Sequence, residues 1–275
     1  MKKFFAFLLT GALALGVAGC GNSETAGNDT DAVTLKIGAS PTPHAEILAA
    51  AKDELAEKGI NLEIVEFTDY VQPNLALDTG DLDANYFQHQ PYLDSFNQEH
   101  GTDIVPIGTV HYEPMGIYAG TVTDLADIPE GTKVGIPNDG TNGGRALLLL
   151  EANGLIKLDP AAGISATKLD IAENPKNLQI LDMEAAQLPL SLNDLGLAVI
   201  NGNYAMQSGL KTEDALSIEA ADSLAATTYA NIVAVKAGNE NTPELATLME
   251  ALQGQTVADF INSTYGGAVA PANKQ

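Results

Sequence analysis

The sequence predicts an α/β fold built from two lobes. Three observations support this class: strand patterns alternate with helix patterns, the alternation restarts in the middle of the chain, and one strand and helix remain at the end. In the first series, strands at residues 33–40, 61–68 and 84–87 are each followed by a helix. Such alternation is typical of a largely parallel sheet with helices on its faces.

The second series follows a long apolar segment, residues 104–119, which contains Pro114. A helix is predicted at residues 141–153, where Thr141 or Asn142 would serve as the N-cap. The predicted strands of this series are residues 133–137, 178–181 and 197–200. A second set of alternating elements of this length predicts a second lobe with its own sheet.

The end of the chain carries one more strand, residues 228–236, and a helix from Pro243 to about Phe260. Because these two elements follow the second series, we expect the chain to return to the first lobe. The predicted lobes are residues 33–112 plus 229–275, and residues 113–228.

Residues 1–19 have the pattern of a secretory signal peptide: two lysines, an apolar run, and small residues before Cys20. The apolar run is too short to span a bilayer stably. The ending Val-Ala-Gly-Cys resembles the lipobox of bacterial lipoproteins, in which the cysteine is acylated and becomes the new N-terminus. We therefore expect a lipid on Cys20, the alternative being an ordinary signal peptide with a chance cysteine.

Composition limits the classes of partner. Cys20 is the only cysteine, so no internal disulfide can form. Residues 20–32 are small, polar and acidic, which predicts a flexible tether. The net charge is −23, and subtracting the two leader lysines gives −25 for the mature chain. A chain this acidic is not expected to bind nucleic acid or to lie flat on anionic lipid.

Arg145 is the only arginine of a chain that has twelve lysines. It is predicted in the first turn of its helix, after a glycine-rich run at residues 138–144 that we expect to be a flexible loop. Free N–H groups beside a guanidinium suit an anion, above all a carboxylate. The alternative is a surface arginine paired with an acid. If Arg145 holds a ligand at the unfavourable end of the helix dipole, its removal should hardly change the stability of the empty protein.

Two further groups of residues could form a pocket. Phe87, His89 and Tyr92 lie at the end of a predicted strand, where rings suit an apolar or thioether group, although core packing is the alternative. Asn203 and Asn231 follow or interrupt apolar strands. A buried asparagine amide can pair with a carboxylate or an ammonium group, and a plain turn or cap role is the alternative.

Enzyme motifs are missing from the sequence. It has no GxSxG, HExxH or Walker motif. The histidines lack metal-ligand spacing; they are His44, His89, His100 and His111. We therefore expect a protein that is not an enzyme and that needs neither a cofactor nor a metal ion.

Several stretches in chain order resemble the NlpA/MetQ family of lipoproteins, the methionine-binding subunits of bacterial ABC importers. They are LKIGA at 35–39, YFQHQPYL at 86–93, EPMGIY at 113–118, IPND at 136–139, GRAL at 144–147, ENPKN at 173–177, EAAQLP at 184–189 and AVINGNYA at 198–205. The ordered set covers essentially the whole mature chain.

This resemblance implies a two-lobed fold of the periplasmic-binding-protein type (type II), with the ligand in a cleft between lobes. It implies that an arginine and two asparagines hold the polar end of the amino acid and that rings surround the thioether. These roles would fall on Arg145, Asn203 and Asn231, and on Tyr70, Phe87 and His89, with Tyr92 as a further candidate.

The implied function is extracytoplasmic capture of L-methionine and its delivery to an ABC permease driven by an ATPase. One alternative is a binding protein for a methionine-containing dipeptide or another apolar amino acid. Another is a surface adhesion or interaction protein on the same fold.

Overall fold

The strands define the framework of the protein. The computed structural model describes residues 32–220 and 227–272. In chain order the strands are β1 (Val33–Ala39), β2 (Ile60–Glu66), β3 (Ala84–His89), β4 (Ile104–Tyr112), β5 (Gly116–Ala119), β6 (Lys133–Pro137), β7 (Lys157–Leu158), β8 (Ile171–Glu173), β9 (Gln179–Met183), β10 (Leu197–Ile200), β11 (Ala215–Ile218), β12 (Asn231–Lys236) and β13 (Ala270–Pro271).

Helices alternate with these strands, as the sequence predicts. The α-helices are α1 (Glu46–Ala50), α2 (Lys52–Glu57), α3 (Gln72–Thr79), α4 (Gln90–His100), α5 (Gly140–Ala152), α6 (Gly202–Gln207), α7 (Pro243–Leu252) and α8 (Gln255–Tyr265). Short helical turns of other types occur at Pro41–Ala45, Leu125–Asp127, Gly163–Ser165, Lys168–Asp170, Ala185–Gln187, Pro189–Asp194 and Thr212–Asp214.

The first sheet has six strands in the order β13-β4-β12-β3-β1-β2. β1 runs parallel to both β2 and β3, whereas β12 runs antiparallel to β3 and β4. Its core forms where apolar strand residues such as Ile37 and Val233 meet the buried helix residues Leu48, Leu55 and Leu248. In α7, Leu245, Leu248, Met249 and Leu252 are buried at spacings of three or four residues, which places them on one face of the helix.

The second sheet has five strands in the order β11-β5-β10-β6-β9. The pairs β10–β6 and β6–β9 are parallel, and β5 is antiparallel to its two neighbours. Helix α5 packs on this sheet through Leu147 and Leu150, which contact a core that includes Val134 and Val199. A two-stranded sheet of β7 and β8 lies apart from both.

Among the described strands, the chain passes between the two sheets twice. Residues 113–115 lead from β4 to β5, and the chain returns to the first sheet between the end of β11 at Ile218 and the start of β12 at Asn231. The sheets therefore divide the chain near the positions where we place the lobe boundaries. Whether the two halves behave as separate lobes stays a prediction.

The apolar segment 104–119, for which no element is predicted from the sequence, is two strands in different sheets. Pro114, which cannot donate a ladder hydrogen bond, lies in the passage between them. The predicted α/β class is confirmed, but two predicted elements are wrong in detail. The last helix is two helices, since Gly254 is extended and begins α8. The strand predicted at residues 228–236 starts at Asn231. In residues 32–220 and 227–272, no helix has the length and apolar character that a membrane span needs.

Candidate functional site

A cleft is lined by residues of the first sheet, by residues of α5, and by residues that follow strand β10 of the second sheet. The lining residues are Tyr70, Phe87, Gln88, His89, Tyr92, Glu113, Asn142, Arg145, Asn201, Gly202, Asn203 and Asn231. The structure thus brings together all seven cleft residues named from the sequence. Their role in binding stays a prediction, and Cys20 lies outside the described residues.

The end of β3 supplies the first wall of the cleft. β3 is buried along its whole length and ends at His89, which is also the N-cap of α4 and accepts a hydrogen bond from the Tyr92 N–H at 3.2 Å. Asn231 begins β12 directly opposite His89 in the antiparallel register. The end of β3, the start of β12 and the first turn of α4 therefore hold these three side chains at one end of the strands, where ligands of α/β folds commonly bind.

Aromatic rings cover the apolar part of the cleft. The Tyr70 ring lies 5.9 Å from that of Phe87 and 5.8 Å from that of Tyr92, centroid to centroid. Tyr204, which does not line the cleft, supports Tyr70 from behind at 4.9 Å. Such a wall suits an apolar or thioether side chain, because sulfur makes favourable contacts with ring edges.

Helix α5 begins earlier than the sequence suggests. Its N-cap is Asp139, whose side chain accepts from the Asn142 N–H at 2.8 Å, so the predicted caps Thr141 and Asn142 are wrong. Arg145 consequently lies in the second turn. The glycine run is helix rather than loop, and a Cβ on Gly144 would meet a backbone oxygen at 2.6 Å. Close packing, not flexibility, accounts for that glycine.

Arg145 is buried and forms an ion pair with Glu219. Its Nε donates to Oε1 of Glu219 at 2.8 Å, and its Nη2 donates to Oε2 at 2.5 Å. Nη2 also donates to the Glu113 carbonyl oxygen at 2.9 Å, and the guanidinium lies 4.4 Å from the centre of the Tyr229 ring. Arg145 is thus both a cleft residue and the partner of an acid. The sequence-based interpretation treated these roles as alternatives.

Glu219 is one of 36 acidic residues, and no local pattern distinguishes it in the sequence. It is 8% exposed and also accepts hydrogen bonds from the Tyr112 hydroxyl and the Met115 N–H, each at 2.8 Å. Burial, the largest single influence, would raise the pKa of this carboxyl, but the charge and hydrogen bonds of Arg145 together with the hydrogen bonds from Met115 and Tyr112 outweigh it. The pKa of Glu219 is therefore lowered, and the group is a carboxylate.

A second carboxyl group, that of Glu113, faces the cleft and is 6% exposed. It accepts from Nε2 of His111 at 2.7 Å, and Nε2 of His44 lies 3.5 Å away. Burial raises the pKa of Glu113. Among the described residues, its side chain forms ion-pair contacts with these two histidines only.

The three buried histidines, His44, His89 and His111, are neutral at neutral pH. Burial lowers their pKa values to about 4, about 3 and about 3, respectively, because a charged imidazolium is poorly solvated there. For His89 the nearby Arg145 charge lowers the pKa further. The histidines around Glu113 therefore supply hydrogen bonds rather than positive charge.

The side chains of His44, His111 and Glu113 could in principle hold a metal ion, since their ligand atoms lie within 4.8 Å of one another. The spacing of these residues along the chain does not indicate this convergence. Two ligands of one tetrahedral zinc ion would lie about 3.3 Å apart, given bond lengths of about 2.0–2.1 Å. The 2.7 Å contact between His111 and Glu113 is shorter, and the second ring nitrogen of His111 accepts from the Tyr86 hydroxyl. This geometry is that of a hydrogen-bond network.

Two buried polar atoms of the cleft have no hydrogen-bond partner among the described residues: Nδ2 of Asn203 and Oδ1 of Asn201. The other polar atom of each of these two amides already forms a hydrogen bond within the protein. Oδ1 of Asn203 accepts from the Tyr70 hydroxyl at 2.6 Å, and Nδ2 of Asn201 donates to Asn142 at 2.8 Å. Because buried polar groups are nearly always paired, one donor and one acceptor are available to a ligand.

Residues 35–273 match the family model described as NlpA lipoprotein. The chain belongs to the NlpA lipoprotein family. Among its relatives, the D-methionine-binding lipoprotein MetQ of Salmonella typhimurium is 40% identical over 97% of this chain and 98% of that protein. The membrane lipoprotein TpN32 of Treponema pallidum is 41% identical over 95% of this chain and 94% of its own length.

Solved structures of similar chains share the fold. A crystal structure from Ruminococcus gnavus has a TM-score of 0.86 at 51% identity and covers 86% of this chain and 98% of its own. A nutrient binding protein from Burkholderia cenocepacia, bound to methionine, has a TM-score of 0.82 at 44% identity and covers 87% of this chain and 100% of its own. A periplasmic substrate-binding protein of an ABC transporter from Coxiella burnetii has a TM-score of 0.81 at 40% identity and covers 86% of this chain and 99% of its own. The predicted periplasmic-binding-protein fold is confirmed.

Proposed function

We propose that this chain is a lipid-anchored, extracytoplasmic solute-binding protein that captures methionine and delivers it to an ABC importer. The observation that carries the proposal is the cleft, which combines an aromatic wall with buried and unpaired polar atoms. Support also comes from relatives named D-methionine-binding lipoprotein MetQ and from a structural neighbour bound to methionine. The function is binding and release, so no bond is made or broken.

The cleft offers a partner for each part of a methionine zwitterion. The thioether would lie against the rings of Tyr70 and Phe87. The ammonium group would pair with the carboxylate of Glu113. The carboxylate of the ligand would accept from the free Nδ2 of Asn203 and from Arg145. This placement uses Tyr70, Phe87, Arg145 and Asn203 and adds Glu113. The other residues named from the sequence, His89, Tyr92 and Asn231, also line the cleft.

Delivery requires that the protein stay near its transporter. A lipid on Cys20 would hold it at the outer face of a membrane, and residues 20–32 would let the folded part reach a permease. The partners we propose are the permease and the ATPase of an ABC importer. A test is co-purification of this chain with a permease and ATPase from detergent-solubilised membranes, with the Cys20→Ala variant as control.

Ligand identity is tested by native mass spectrometry of the purified protein, followed by calorimetry. The ligands are L-methionine, D-methionine, leucine and a methionine-containing dipeptide. We expect methionine to bind and leucine to bind more weakly, because leucine lacks sulfur for the aromatic wall. The sequence-based expectation is the L enantiomer, and D-methionine in the series tests it. Tighter binding of the dipeptide than of either methionine would replace the proposal by the peptide alternative.

A further inference from the structure

A buried histidine behind the cleft holds one of the cleft asparagines. We infer that His44 is a positioning residue: its Nε2–H group fixes the amide of Asn231 so that the Nδ2 hydrogens face the ligand. The inference rests on the proposed function, because it concerns how the same site offers hydrogen-bond donors to its ligand. His44 is 1% exposed and does not line the cleft, so it acts through a neighbour rather than by touching the ligand.

The fold brings these two distant residues together. His44 belongs to the short helical turn Pro41–Ala45 that follows β1, and Asn231 is the first residue of β12, 187 positions further along the chain. Nε2 of His44 lies 3.0 Å from Oδ1 of Asn231, and both side chains are buried. The imidazole also makes edge contacts with the rings of Tyr86 and His111, at 4.8 and 4.9 Å between centroids. The packed ring is therefore a fixed support for the amide.

The two ring nitrogens of His44 differ in their surroundings. Nε2 faces two oxygens, Oδ1 of Asn231 at 3.0 Å and Oε1 of Glu113 at 3.5 Å. Nδ1 is buried and has no hydrogen-bond partner among the described residues. Because burial lowers the pKa of His44 to about 4, the ring is neutral and carries one hydrogen. On Nε2 that hydrogen meets an acceptor, whereas on Nδ1 it would be a buried donor without a partner. The hydrogen therefore lies on Nε2.

This tautomer decides which way the amide of Asn231 points. The oxygen and the nitrogen of an amide are nearly equivalent in shape, so their places follow from the hydrogen bonds that they form. An Nε2–H group of His44 can pair with the amide oxygen but not with the amide nitrogen. In the part of the chain that the structure describes, no hydrogen bond uses Nδ2 of Asn231, a residue that lines the cleft. The Nδ2 group is therefore available to a ligand.

The Nδ2 group of Asn231 suits an oxygen of the ligand, above all a carboxylate oxygen, which only accepts hydrogen bonds. An amide that rotated freely could instead present its own oxygen, which would repel a carboxylate. Fixing the amide before the ligand arrives removes this alternative and reduces the cost of ordering the side chain on binding. The carboxylate of methionine would thus receive a donor from Asn231 in addition to those of Arg145 and Asn203.

The first measurement compares two substitutions of His44 by calorimetry with L-methionine. The side-chain nitrogen of glutamine can take the place of Nε2, whereas that of the shorter asparagine lies near Nδ1 and does not reach Asn231. His44→Gln should bind methionine within about threefold of the wild type, and His44→Asn about tenfold more weakly, as expected for the loss of about one net hydrogen bond. Both variants replace the ring by a buried amide, so each controls for the lost ring packing in the other.

The same two substitutions in an Asn231→Ala background test whether His44 acts through Asn231 or through Glu113. Without the amide of Asn231, His44→Gln and His44→Asn should bind methionine equally, within about twofold, because the group that His44 positions is gone. A tenfold difference that persists in this background would show that His44 acts on another group, and the inference would be overturned.

The tautomer itself is measured by long-range proton–nitrogen correlation NMR of the ligand-free wild type, with the His44 signals assigned from their absence in His44→Gln. We expect a neutral ring with its hydrogen on Nε2. A hydrogen on Nδ1 overturns the inference, and this measurement decides the matter if His44→Asn fails to fold.

The outcomes separate the inference from the proposed function. If the wild type binds methionine and the two variants weaken binding equally, His44 only fills space, so the inference is overturned and the proposed function stands. If the wild type does not bind methionine, the proposed function fails, and the tautomer still decides how the amide of Asn231 is oriented.

Discussion

Replacing Arg145 with alanine is expected to destabilise the ligand-free protein. The sequence-based expectation of almost no change assumed an arginine in the first helical turn, and that premise is wrong. Arg145 is 4% exposed and donates two hydrogen bonds to the carboxylate of Glu219. In Arg145→Ala that carboxylate would remain buried beside apolar and aromatic groups without its cation.

The magnitude follows from the burial of both partners. Removing one member of a buried ion pair costs about 3–5 kcal/mol, because the remaining charge is neither solvated nor paired. A domain of this size is stable by about 5–15 kcal/mol in total. At roughly 2–4 °C per kcal/mol, the melting temperature should fall by about 6–20 °C. The Tyr112 hydroxyl and the Met115 N–H still donate to Glu219, which argues for the lower half of this range.

The assay is urea unfolding of four proteins: the wild type, Arg145→Ala, Glu219→Gln and the double variant. Glu219→Gln in the Arg145→Ala background should recover part of the lost stability, because a neutral amide tolerates burial better than a lone carboxylate. The four free energies form a double-mutant cycle that isolates the interaction between the two residues. A loss below about 1 kcal/mol in Arg145→Ala, or a further loss in the double variant, would refute this reasoning.

Three further predictions concern the cleft, the anchor and pH. Tyr70→Phe removes a 2.6 Å hydrogen bond within the cleft and should weaken methionine binding by about 1 kcal/mol. Tyr265→Phe removes a hydrogen bond of equal length outside the cleft and should leave methionine binding unchanged. Equal effects of the two variants in calorimetry would contradict this prediction. Cys20→Ala should move the protein from the membrane to the soluble fraction with unchanged circular dichroism, and retention on the membrane would count against the lipid anchor. The three buried histidines have pKa values of about 3 to 4, below the usual value of about 6.5. Between about pH 4 and pH 6.5, these histidines are therefore protonated in the unfolded state but not in the folded state. Stability should therefore fall as pH drops below about 6.5, by up to ~1.4 kcal/mol per pH unit for each histidine, and equal melting temperatures at about pH 7 and pH 5 would argue against it.

The sequence alone was enough for the features that depend on local pattern. The α/β class follows from the period of apolar positions within each element, whereas the expected secretory leader and the lipid on Cys20 rest on consecutive residues and stay predictions. Strands β6 and β10 coincide with the predicted residues 133–137 and 197–200. The ring cluster at the end of β3 was also visible, because strand ends are where α/β folds present side chains to ligands.

The tertiary structure decided which distant residues became partners. Arg145 and Glu219 are 74 residues apart, and the pairing of β11 with β5 places Glu219, which follows β11, beside Met115 and Arg145. The same holds for His44 and Glu113, which meet because residues from separate elements converge behind the cleft. Local periodicity shows which face of an element is buried, but it does not show which charge will be buried beside it. The charge balance of the cleft is therefore a property of the folded chain.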